Sequence, residues 1–415
     1  MKIKICLIDK FLSKLKVKLR RGVDFNNHFA HLKSAMKIVF TGGGTGGHFY
    51  PIIAVAEKVN QIIDEERIIG AKLYYFSDSP YDKEMLFENG ILYEEIVAGK
   101  IRTYFSLKSF LLNFLDILKM FFGILNAIFK MFSIYPDVVF GKGGYASFPT
   151  IFAARLLRIP ILIHESDSAP GRVNKWAGHF AKKIAVSFKE AANYFPKDKT
   201  AWTGQPIRSA IEHPALHENA LQYFKMESSL PVILVLGGSQ GAELINNTML
   251  DALPRLLKNY QIIHQTGVSN FKNVVGRAMV VLEDNQYKTR YLTFAFLNPL
   301  LIKNASGVAK IVVSRAGSTL FEIASWGVPS ILIPFTESNA DHSKKNAFNY
   351  AHTGACAVIE EMNMTANILS SEIERIIEDK EVWEQMARNA KTFYKPQAAF
   401  KIARELVDMA LSHEK

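Results

Sequence analysis

Two series of short apolar runs, each interleaved with helical stretches, constrain the fold of this 415-residue chain more than any other feature. Runs of this length and composition predict buried strands. The predicted strands span residues 37–41, 72–77, 137–140, 160–164 and 183–187, then 232–236, 260–264, 278–282, 311–313 and 330–333. Strands that alternate with helices indicate parallel sheets with crossover helices. The sequence therefore predicts an α/β protein with two doubly wound domains that face each other across a cleft.

The net charge and the cysteines limit the classes of binding partner and the redox compartment that the chain is suited to. A formal net charge of +11 fits nucleic acid, an anionic membrane surface or a phosphate-rich substrate. The chain carries neither zinc-finger spacing nor an aromatic RNA-binding signature, so we expect no nucleic-acid partner. Cys6 and Cys356 lack metal-ligand spacing, which indicates a reducing compartment without a disulfide framework.

The domain limits follow from changes in pattern. Residues 1–35 hold nine Lys or Arg against two acidic residues, and the patterned sequence begins at Met36. We interpret 1–35 as a basic, poorly ordered extension, with a basic amphipathic membrane tether as the alternative. The pattern of the remaining residues predicts two domains, over 36–198 and 199–385. Residues 386–415 form a C-terminal segment that overlaps a stretch, 380–411, predicted to be helical.

Residues 100–132 are unusually rich in Leu, Ile and Phe. The length would suffice for a membrane span, which needs about 20 mostly apolar residues. Asp116 and Lys119 interrupt the run, and a charge at mid-bilayer costs about 2.5–3.5 kcal/mol on insertion scales. Three interpretations remain open for this segment: a pair of buried core helices, an interfacial helix lying on a membrane, and a true span.

A glycine cluster, TGGGTGGH, follows the first strand and opens a helix. Such a loop lets backbone N–H groups approach a phosphate, so Thr45, Gly46 and Gly47 are candidate substrate-binding positions. The cluster also fits the dinucleotide pattern G-x-G-x-x-G, but Asp78 lies too far along for the acidic residue that this pattern requires. His48 stands at the start of the helix, where it is either a general base or a packing residue.

Four further polar clusters follow strands, where side chains point into the ligand crevice of an open α/β sheet. They read GKGGYAS from 141, HESD from 164, GGSQGA from 237 and SRAGSTLFE from 314. Ser239 is a hydroxyl donor in a second phosphate-loop candidate. Glu322 either accepts the hydroxyls of a ribose or only favours a helix N-terminus. His164 and Glu165 either face a ligand or hydrogen-bond neighbouring loops.

Taken together and in order, these motifs resemble the bacterial N-acetylglucosaminyltransferases that make lipid II, the peptidoglycan precursor. The resemblance runs from Met36 to about Ala410 and includes TGQPIR, HQTG and GVPSILIPF. It implies a GT-B fold of two Rossmann-like domains. The N-terminal domain would take the lipid acceptor, lipid I, and the C-terminal domain would take UDP-N-acetylglucosamine. The C-terminal helix would return to the first domain.

The resemblance also implies roles for single residues. His48 would be the general base that deprotonates the 4-hydroxyl of the acceptor's N-acetylmuramic acid. Asp167 would lie beside the donor sugar and the acceptor, at a position where family members carry Asn or Asp. Arg208 would lie near the nucleotide, Ser239 would hold the diphosphate, and the backbone near Leu297 would read uracil. Glu322 would bind the ribose hydroxyls.

One departure concerns the donor sugar. The family offers a glutamine to the sugar hydroxyls just before an Asn-Ala pair, and here Ser343 stands at that position. Asp341, His342 or Asn339 are the candidate substitutes. The sequence therefore leaves the selectivity for N-acetylglucosamine open, but not the type of reaction.

The implied reaction is an inverting transfer that gives a β-1,4 link, without a cofactor and without a required metal. The sequence carries no Asp-x-Asp metal motif. The resemblance also implies peripheral attachment to the inner face of the cytoplasmic membrane and a place in a cell-wall synthesis complex. The alternatives are a related GT-B glycosyltransferase with another lipid acceptor, a non-catalytic UDP-sugar-binding protein and a nicotinamide-dependent oxidoreductase.

Overall fold

A computed structural model of the chain describes residues 36–100, 107–238, 242–335 and 341–412, with the side chains of 107–112 and 341 left out. The predicted basic extension 1–35 and the candidate phosphate-loop residue Ser239 lie outside the described residues. Within the described residues, two parallel sheets are each covered by helices on both faces.

The first sheet, here the N-terminal sheet, contains strands β1 to β7 in the order β3-β2-β1-β4-β5-β6-β7. The elements of this half are β1 Lys37–Thr41, α1 Gly46–Glu65, β2 Lys72–Ser77, α2 Lys83–Glu88, β3 Ile91–Glu95, α3 Leu107–Ile134, β4 Val138–Gly141, α4 Phe148–Leu156, β5 Ile161–Glu165, α5 Arg172–Ala177, β6 Lys183–Val186 and β7 Thr200–Trp202. Its central strands β1, β4 and β5 are almost entirely buried and mostly apolar, as expected for a parallel sheet covered on both faces.

The second sheet, here the C-terminal sheet, has the order β10-β9-β8-β11-β12-β13. Its half contains α6 Ser209–Glu212, α7 His217–Phe224, β8 Val232–Leu236, α8 Glu243–Leu256, β9 Gln261–Gln265, α9 Phe271–Val281, β10 Tyr291–Phe294, α10 Pro299–Val308, β11 Ala309–Arg315, α11 Thr319–Trp326, β12 Ser330–Ile333, α12 Asp341–Ala351, β13 Cys356–Val358, α13 Ala366–Glu378, α14 Lys380–Phe393 and α15 Ala398–Leu411. Both sheets follow the doubly wound order, so the predicted fold class is confirmed.

The last helix crosses from one half to the other. Helix α15 packs its apolar face, including Ile402 and Leu406, against the buried face of α1. Lys183 of β6 forms an ion pair with Glu405 at 3.2 Å. On the other side of the molecule, Phe188 after β6 packs edge-on against Phe321 of α11, with ring centroids 5.0 Å apart. One continuous apolar core therefore joins the two halves.

Two predictions about elements were wrong. Residues 278–282 are the end of helix α9 and the residue after it, and the strand of that region is β10. Val280 is 73% exposed, so the apolar run there is a surface feature of a helix and not a buried strand. The stretch 380–411 is two helices, because Pro396 and a left-handed Gln397 (φ 65°) interrupt it.

The apolar stretch 100–132 is also not a pair of buried helices. Its described part contains one helix, α3, whose apolar side chains are mostly exposed, although Ala127 and Met131 on the same helix are buried in the core. Exposed side chains on this helix are Phe114, Leu115, Ile117, Leu118, Phe121, Phe122, Leu125, Phe129 and Phe132. Residues 101–106 lie outside the described residues.

Candidate active site

A cavity of about 340 Å³ lies between the C-terminal ends of the two sheets. Nucleotide-sized ligands occupy pockets of about 300–1,000 Å³. The cavity brings together these sequence-predicted residues: Thr45, Gly46, Gly47, Arg208, Leu297 and Glu322. The N-terminal side of the cavity approaches the C-terminal side closely, since a Cβ added at Gly47 would lie 3.3 Å from the Ser318 hydroxyl.

His48 stands in the first turn of α1, next to this cavity. The Nδ1 atom lies 3.0 Å from the Thr45 hydroxyl oxygen, and the imidazole is half-buried. Burial and then the charge of Lys142 lower the pKa of His48 to about 4, while Asp167 opposes the shift. The imidazole is therefore neutral at pH 7. A general base needs the tautomer in which Nδ1–H donates to Thr45 and Nε2 is free to accept a proton.

The loop after β4 lies close to His48, since a Cβ added at Gly144 would lie 3.4 Å from the His48 Cε1 atom. Gly143 has φ +88°, and a Cβ there would lie 2.8 Å from the Asn174 amide nitrogen, so only glycine permits this close approach. Lys142 is 1% exposed, and its ammonium donates to the Ser166 hydroxyl. Burial lowers the pKa of Lys142 to about 8, and the charges of Glu165 and Asp167 partly offset this effect.

The loop after β5 is organised around buried Glu165. Its carboxylate accepts the N–H groups of Asp167 at 2.9 Å and Gly171 at 3.1 Å and the side-chain amide of Asn174 at 2.9 Å. Burial raises the pKa of Glu165, while these hydrogen bonds and Lys142 act in the opposite direction. Glu165 thus fixes the backbone of the segment that carries Asp167.

His164 is placed in the same way, as part of a buried polar network. Its Nε2 lies 3.2 Å from both the Gly204 carbonyl oxygen and the Ser187 hydroxyl, so it ties β5 to β6 and to the segment that follows β7. Burial lowers the pKa of His164 well below the usual histidine value. The structure gives His164 and Glu165 the contacts of residues that hydrogen-bond neighbouring loops.

The nucleotide side of the cavity carries Glu322 in the first turn of α11. Burial raises the pKa of this half-buried carboxyl group, and the Arg208 guanidinium opposes that rise. Arg208 itself packs 3.9 Å over the ring of Tyr50. The backbone N–H of Leu297 donates to the Gln265 side chain at 3.2 Å, so this N–H is already occupied within the protein.

Three predicted positions, His48, Asp167 and Ser343, do not line this cavity. The Ser343 hydroxyl accepts the backbone N–H of Phe335 at 3.2 Å, near the start of α12. One turn later on the same helix, the Asn346 amide donates to the Asp167 carboxylate at 2.9 Å. Helix α12 therefore connects the expected donor-sugar position with the loop of the N-terminal sheet.

Several cleft residues were not singled out from the sequence. Lys142 lies in a motif that is conspicuous for its glycines, and Asn346 served only as a landmark for Ser343. Tyr50 and Tyr81 line the cavity from the N-terminal side. For Lys142, the sequence offered one signal, a lysine among glycines at the end of a predicted strand. Among the described residues, no group of three His, Cys, Asp or Glu side chains is arranged to hold a metal ion.

Replacing Lys142 with Met tests the electrostatics of this site. Methionine keeps the volume but removes the positive charge that lowers the pKa of His48, so that pKa rises. A base acts only when deprotonated, so the acid limb of the pH–rate profile is expected to move to higher pH. The profile of kcat against pH measures the shift. An acid limb that stays in place in a folded Lys142→Met variant contradicts this account.

Comparisons with known proteins cover most of the chain. The glycosyltransferase family 28 N-terminal domain matches residues 38–186, and the glycosyltransferase family 28 C-terminal domain matches residues 232–402. These matches correspond to the N-terminal and C-terminal sheets. The cavity therefore lies between the two matched domains.

A named relative and two solved structures are similar over nearly their full length. A Bacillus cereus protein named UDP-N-acetylglucosamine--N-acetylmuramyl-(pentapeptide) pyrophosphoryl-undecaprenol N-acetylglucosamine transferase 2 is 35% identical over 350 residues, 84% of this chain and 93% of that protein. The Acinetobacter baumannii MurG structure has a TM-score of 0.66 at 24% identity, covering 90% of this chain and 99% of that one. A Neisseria meningitidis UDP-GlcNAc 2-epimerase bound to UDP-GlcNAc shares the fold, with a TM-score of 0.60 at 16% identity and coverage of 90% and 99%.

Proposed function

This chain belongs to glycosyltransferase family 28, and from that premise we propose that it transfers N-acetylglucosamine from UDP-N-acetylglucosamine to the 4-hydroxyl of the N-acetylmuramic acid of a lipid-linked acceptor, lipid I. The product is lipid II, a precursor of peptidoglycan. The observation that carries the proposal is the 35% identity, over 93% of its length, to a protein named for this transfer. The enzyme is a UDP-GlcNAc-dependent N-acetylglucosaminyltransferase.

The two halves divide the substrates between them. The C-terminal half, residues 199–385, binds the donor in the cavity, where Glu322 accepts ribose hydroxyls and Arg208 lies beside the nucleotide. The N-terminal half, residues 36–198, receives the acceptor over the loops that follow β1, β4 and β5. The segment 386–415 returns to the first half through α15. Thr45, Gly46 and Gly47 line the cavity at the boundary between the two halves, where they would contact both substrates.

The transfer itself needs a base and a stabilised leaving group. Nε2 of His48 takes the proton of the acceptor 4-hydroxyl as the oxygen attacks the anomeric carbon of the sugar. The bond from that carbon to the UDP oxygen breaks on the opposite face, so an α-linked donor gives a β-linked product. Asp167, held next to this centre, stabilises the positive charge that develops on His48 and on the sugar ring.

The departing UDP accumulates negative charge. Two helices, α8 and α11, begin at the C-terminal ends of β8 and β11, next to the cavity. The N-terminus of a helix presents unpaired N–H groups and a partial positive charge, which stabilise an anion there. Ser239 and the N–H groups around it would hold the diphosphate in this region.

Helix α3 supplies a membrane-docking face. Its polar residues bind the protein body: Lys130 donates to Glu94 Oε2 at 2.7 Å, and Asn126 donates to the Glu95 carbonyl at 3.3 Å. A glycine fits the helix to this surface, since a Cβ at Gly123 would collide with the Val97 carbonyl oxygen. The phenyl rings point away from the protein. This arrangement, with Lys130 and Asn126 held against the protein body and a row of apolar side chains exposed, suits a helix lying in the membrane interface.

By length and hydropathy alone, Asn113–Ile134 could also cross a membrane, with 22 residues and a mean hydropathy of 1.7. The contacts of Lys130, Asn126 and the buried Asp116 with the protein body favour the interfacial placement, because a spanning helix would have to break them. We therefore place the enzyme on the cytoplasmic face of the membrane as a peripheral protein, where a lipid-linked acceptor is within reach.

Replacing Phe121, Phe122 and Phe129 with Ser is expected to release the enzyme from membranes. These side chains are 56%, 62% and 75% exposed, so the change costs the folded core little. Burying one such side chain is worth about 1.5–3 kcal/mol, so affinity for anionic vesicles should fall by at least about tenfold. Co-sedimentation with vesicles measures it.

The matched control for membrane binding is Val280→Ser on α9, an equally exposed apolar residue on the other half of the protein. It should leave vesicle binding unchanged. Vesicle binding by the triple variant that equals the wild type would exclude α3 as the docking face.

The proposed function is tested by measuring UDP release from UDP-GlcNAc with and without a short-chain lipid I analogue. We expect release that depends on the acceptor and saturates with it. The related fold of the UDP-GlcNAc 2-epimerase gives the counter-assay, formation of the C2 epimer of the donor in the absence of acceptor. Binding of UDP-GlcNAc without acceptor-dependent release would overturn the assignment.

A further inference from the structure

The side-chain amide of Asn346 connects the C-terminal half of the molecule to the acceptor loop, which is the segment after β5 that carries Asp167 and Ser168. Asn346 lies in α12, on the C-terminal half, and is 2% exposed. Its Nδ2 donates to Asp167 Oδ1 at 2.9 Å, and its Oδ1 accepts the backbone N–H of Ser168 at 2.9 Å. Both ends of the amide are therefore used, and the partner residues stand 179 and 178 positions away in the sequence.

These two hydrogen bonds determine the direction of the Asp167 side chain. Glu165 fixes the Asp167 backbone from inside the N-terminal half, through the N–H bond at 2.9 Å. Asn346 fixes the carboxylate from the other half. A hydrogen bond to a charged acceptor is shorter and stronger than one between neutral groups, so this buried bond restrains the carboxylate tightly.

Helix α12 also relates this contact to the donor. Ser343, at the expected donor-sugar position, precedes Asn346 by three residues, so the two side chains lie on the same face of the helix. Any movement of α12 on donor binding therefore moves the Asn346 amide. Asp167 would follow, because the amide holds its carboxylate.

We propose that Asn346 is a positioning residue that orients the Asp167 carboxylate for the transfer step from across the cleft. The proposal rests on the proposed function, since it presumes that Asp167 acts in the transfer. Asn346 needs no contact with the reacting atoms in this role. Its loss should lower kcat and leave the affinity for UDP unchanged, since the nucleotide cavity does not include it.

The test is a double-mutant cycle on acceptor-dependent transfer by the full-length chain, with Asn346→Ala, Asp167→Ala and both together. Loss of a hydrogen bond to a charged group predicts a fall in kcat of about 10- to 100-fold for Asn346→Ala. In an enzyme that already carries Asp167→Ala, Asn346→Ala should lower kcat by less than about twofold, because the residue that Asn346 positions is gone. The dissociation constant for UDP, measured by calorimetry, should stay within about twofold.

A reversed pair gives a second measurement that does not depend on truncation. Asn346→Asp alone places two carboxylates against each other and should abolish transfer. Adding Asp167→Asn restores both hydrogen bonds, with the donor and the acceptor of the side-chain pair exchanged. The amide introduced at position 167 then donates to the carboxylate introduced at position 346, which still accepts the Ser168 N–H. The double variant lacks the Asp167 carboxylate, so Asp167→Asn alone is its reference. It should transfer at about the rate of Asp167→Asn and at least about tenfold faster than Asn346→Asp.

The control for changes on this helix is Asn349→Ala, one turn further along α12. Asn349 makes neither of the two hydrogen bonds that hold the acceptor loop. The variant should therefore keep wild-type kcat.

The outcomes separate this proposal from the function on which it rests. The positioning role is overturned, while wild-type transfer still stands, by additive losses in the Asp167→Ala background. It is also overturned by a reversed pair that is slower than Asp167→Asn alone and no better than Asn346→Asp. A wild-type chain without acceptor-dependent transfer overturns the proposed function and the positioning role with it.

Discussion

Replacing His48 with Gln is expected to lower kcat for acceptor-dependent transfer by about 10²- to 10⁴-fold, the usual contribution of a positioned general base. Glutamine keeps a polar side chain near Thr45 but cannot take a proton. The half-buried imidazole is neutral at pH 7, because burial and Lys142 lower its pKa to about 4. The loss should therefore appear in kcat at neutral pH and above, where the wild-type base is fully available.

Steady-state kinetics with the lipid I analogue, together with calorimetry of UDP binding, measure the effect. UDP affinity should stay within about twofold, since the base acts on the acceptor hydroxyl. His352→Gln, at an exposed histidine at the end of α12, is the control for replacing a histidine elsewhere in the chain. A His48→Gln enzyme that keeps more than about a tenth of wild-type kcat would remove His48 from the role of base.

The second large effect is expected at Glu322. Replacing it with Gln should weaken UDP binding by about 10- to 150-fold, because hydrogen bonds to a charged group contribute about 1.5–3 kcal/mol. The wild-type enzyme should also bind UDP much more tightly than 2′-deoxy-UDP. In the variant that preference should shrink, since the lost carboxylate is the proposed acceptor for the ribose hydroxyls. Calorimetric titration with both nucleotides measures the difference.

Glu322 also sits in the first turn of a helix, where any carboxylate is favourable. Glu218→Gln controls for that effect, because Glu218 occupies the first turn of α7 and is exposed. It should leave nucleotide binding unchanged. If Glu322→Gln weakens UDP and 2′-deoxy-UDP equally, the carboxylate stabilises α11 or the cavity in general and does not read the ribose.

The sequence predicted the central strands well, because their side chains are buried on both faces and leave uninterrupted apolar runs. It missed β3, β7, β10 and β13, the four strands at the sheet edges, which are partly exposed. Edge strands are packed on fewer sides, so they carry a weaker apolar signal. The false strand at 278–282 has the opposite cause, since an apolar run stands exposed on helix α9.

Part of the site was also predictable. Parallel strands deliver their following loops to one edge of the sheet, so the motifs after β1, β5 and β11 could be expected to meet at the cleft. The contact of Asn346 with Asp167 could not be predicted from the sequence, because it depends on how the two sheets face each other. The inward orientation of Lys130 on α3 could not be predicted either, because the pattern of apolar and polar residues does not show which face of a helix meets the protein.

The most direct test of the central claim is to identify the product by NMR after incubating the enzyme with UDP-GlcNAc and the short-chain lipid I analogue. The expected product carries one new N-acetylglucosamine in a β-1,4 link to N-acetylmuramic acid, formed in equal amount with UDP. An α-linked product, free N-acetylglucosamine, or the C2 epimer of the donor with no disaccharide would contradict the account.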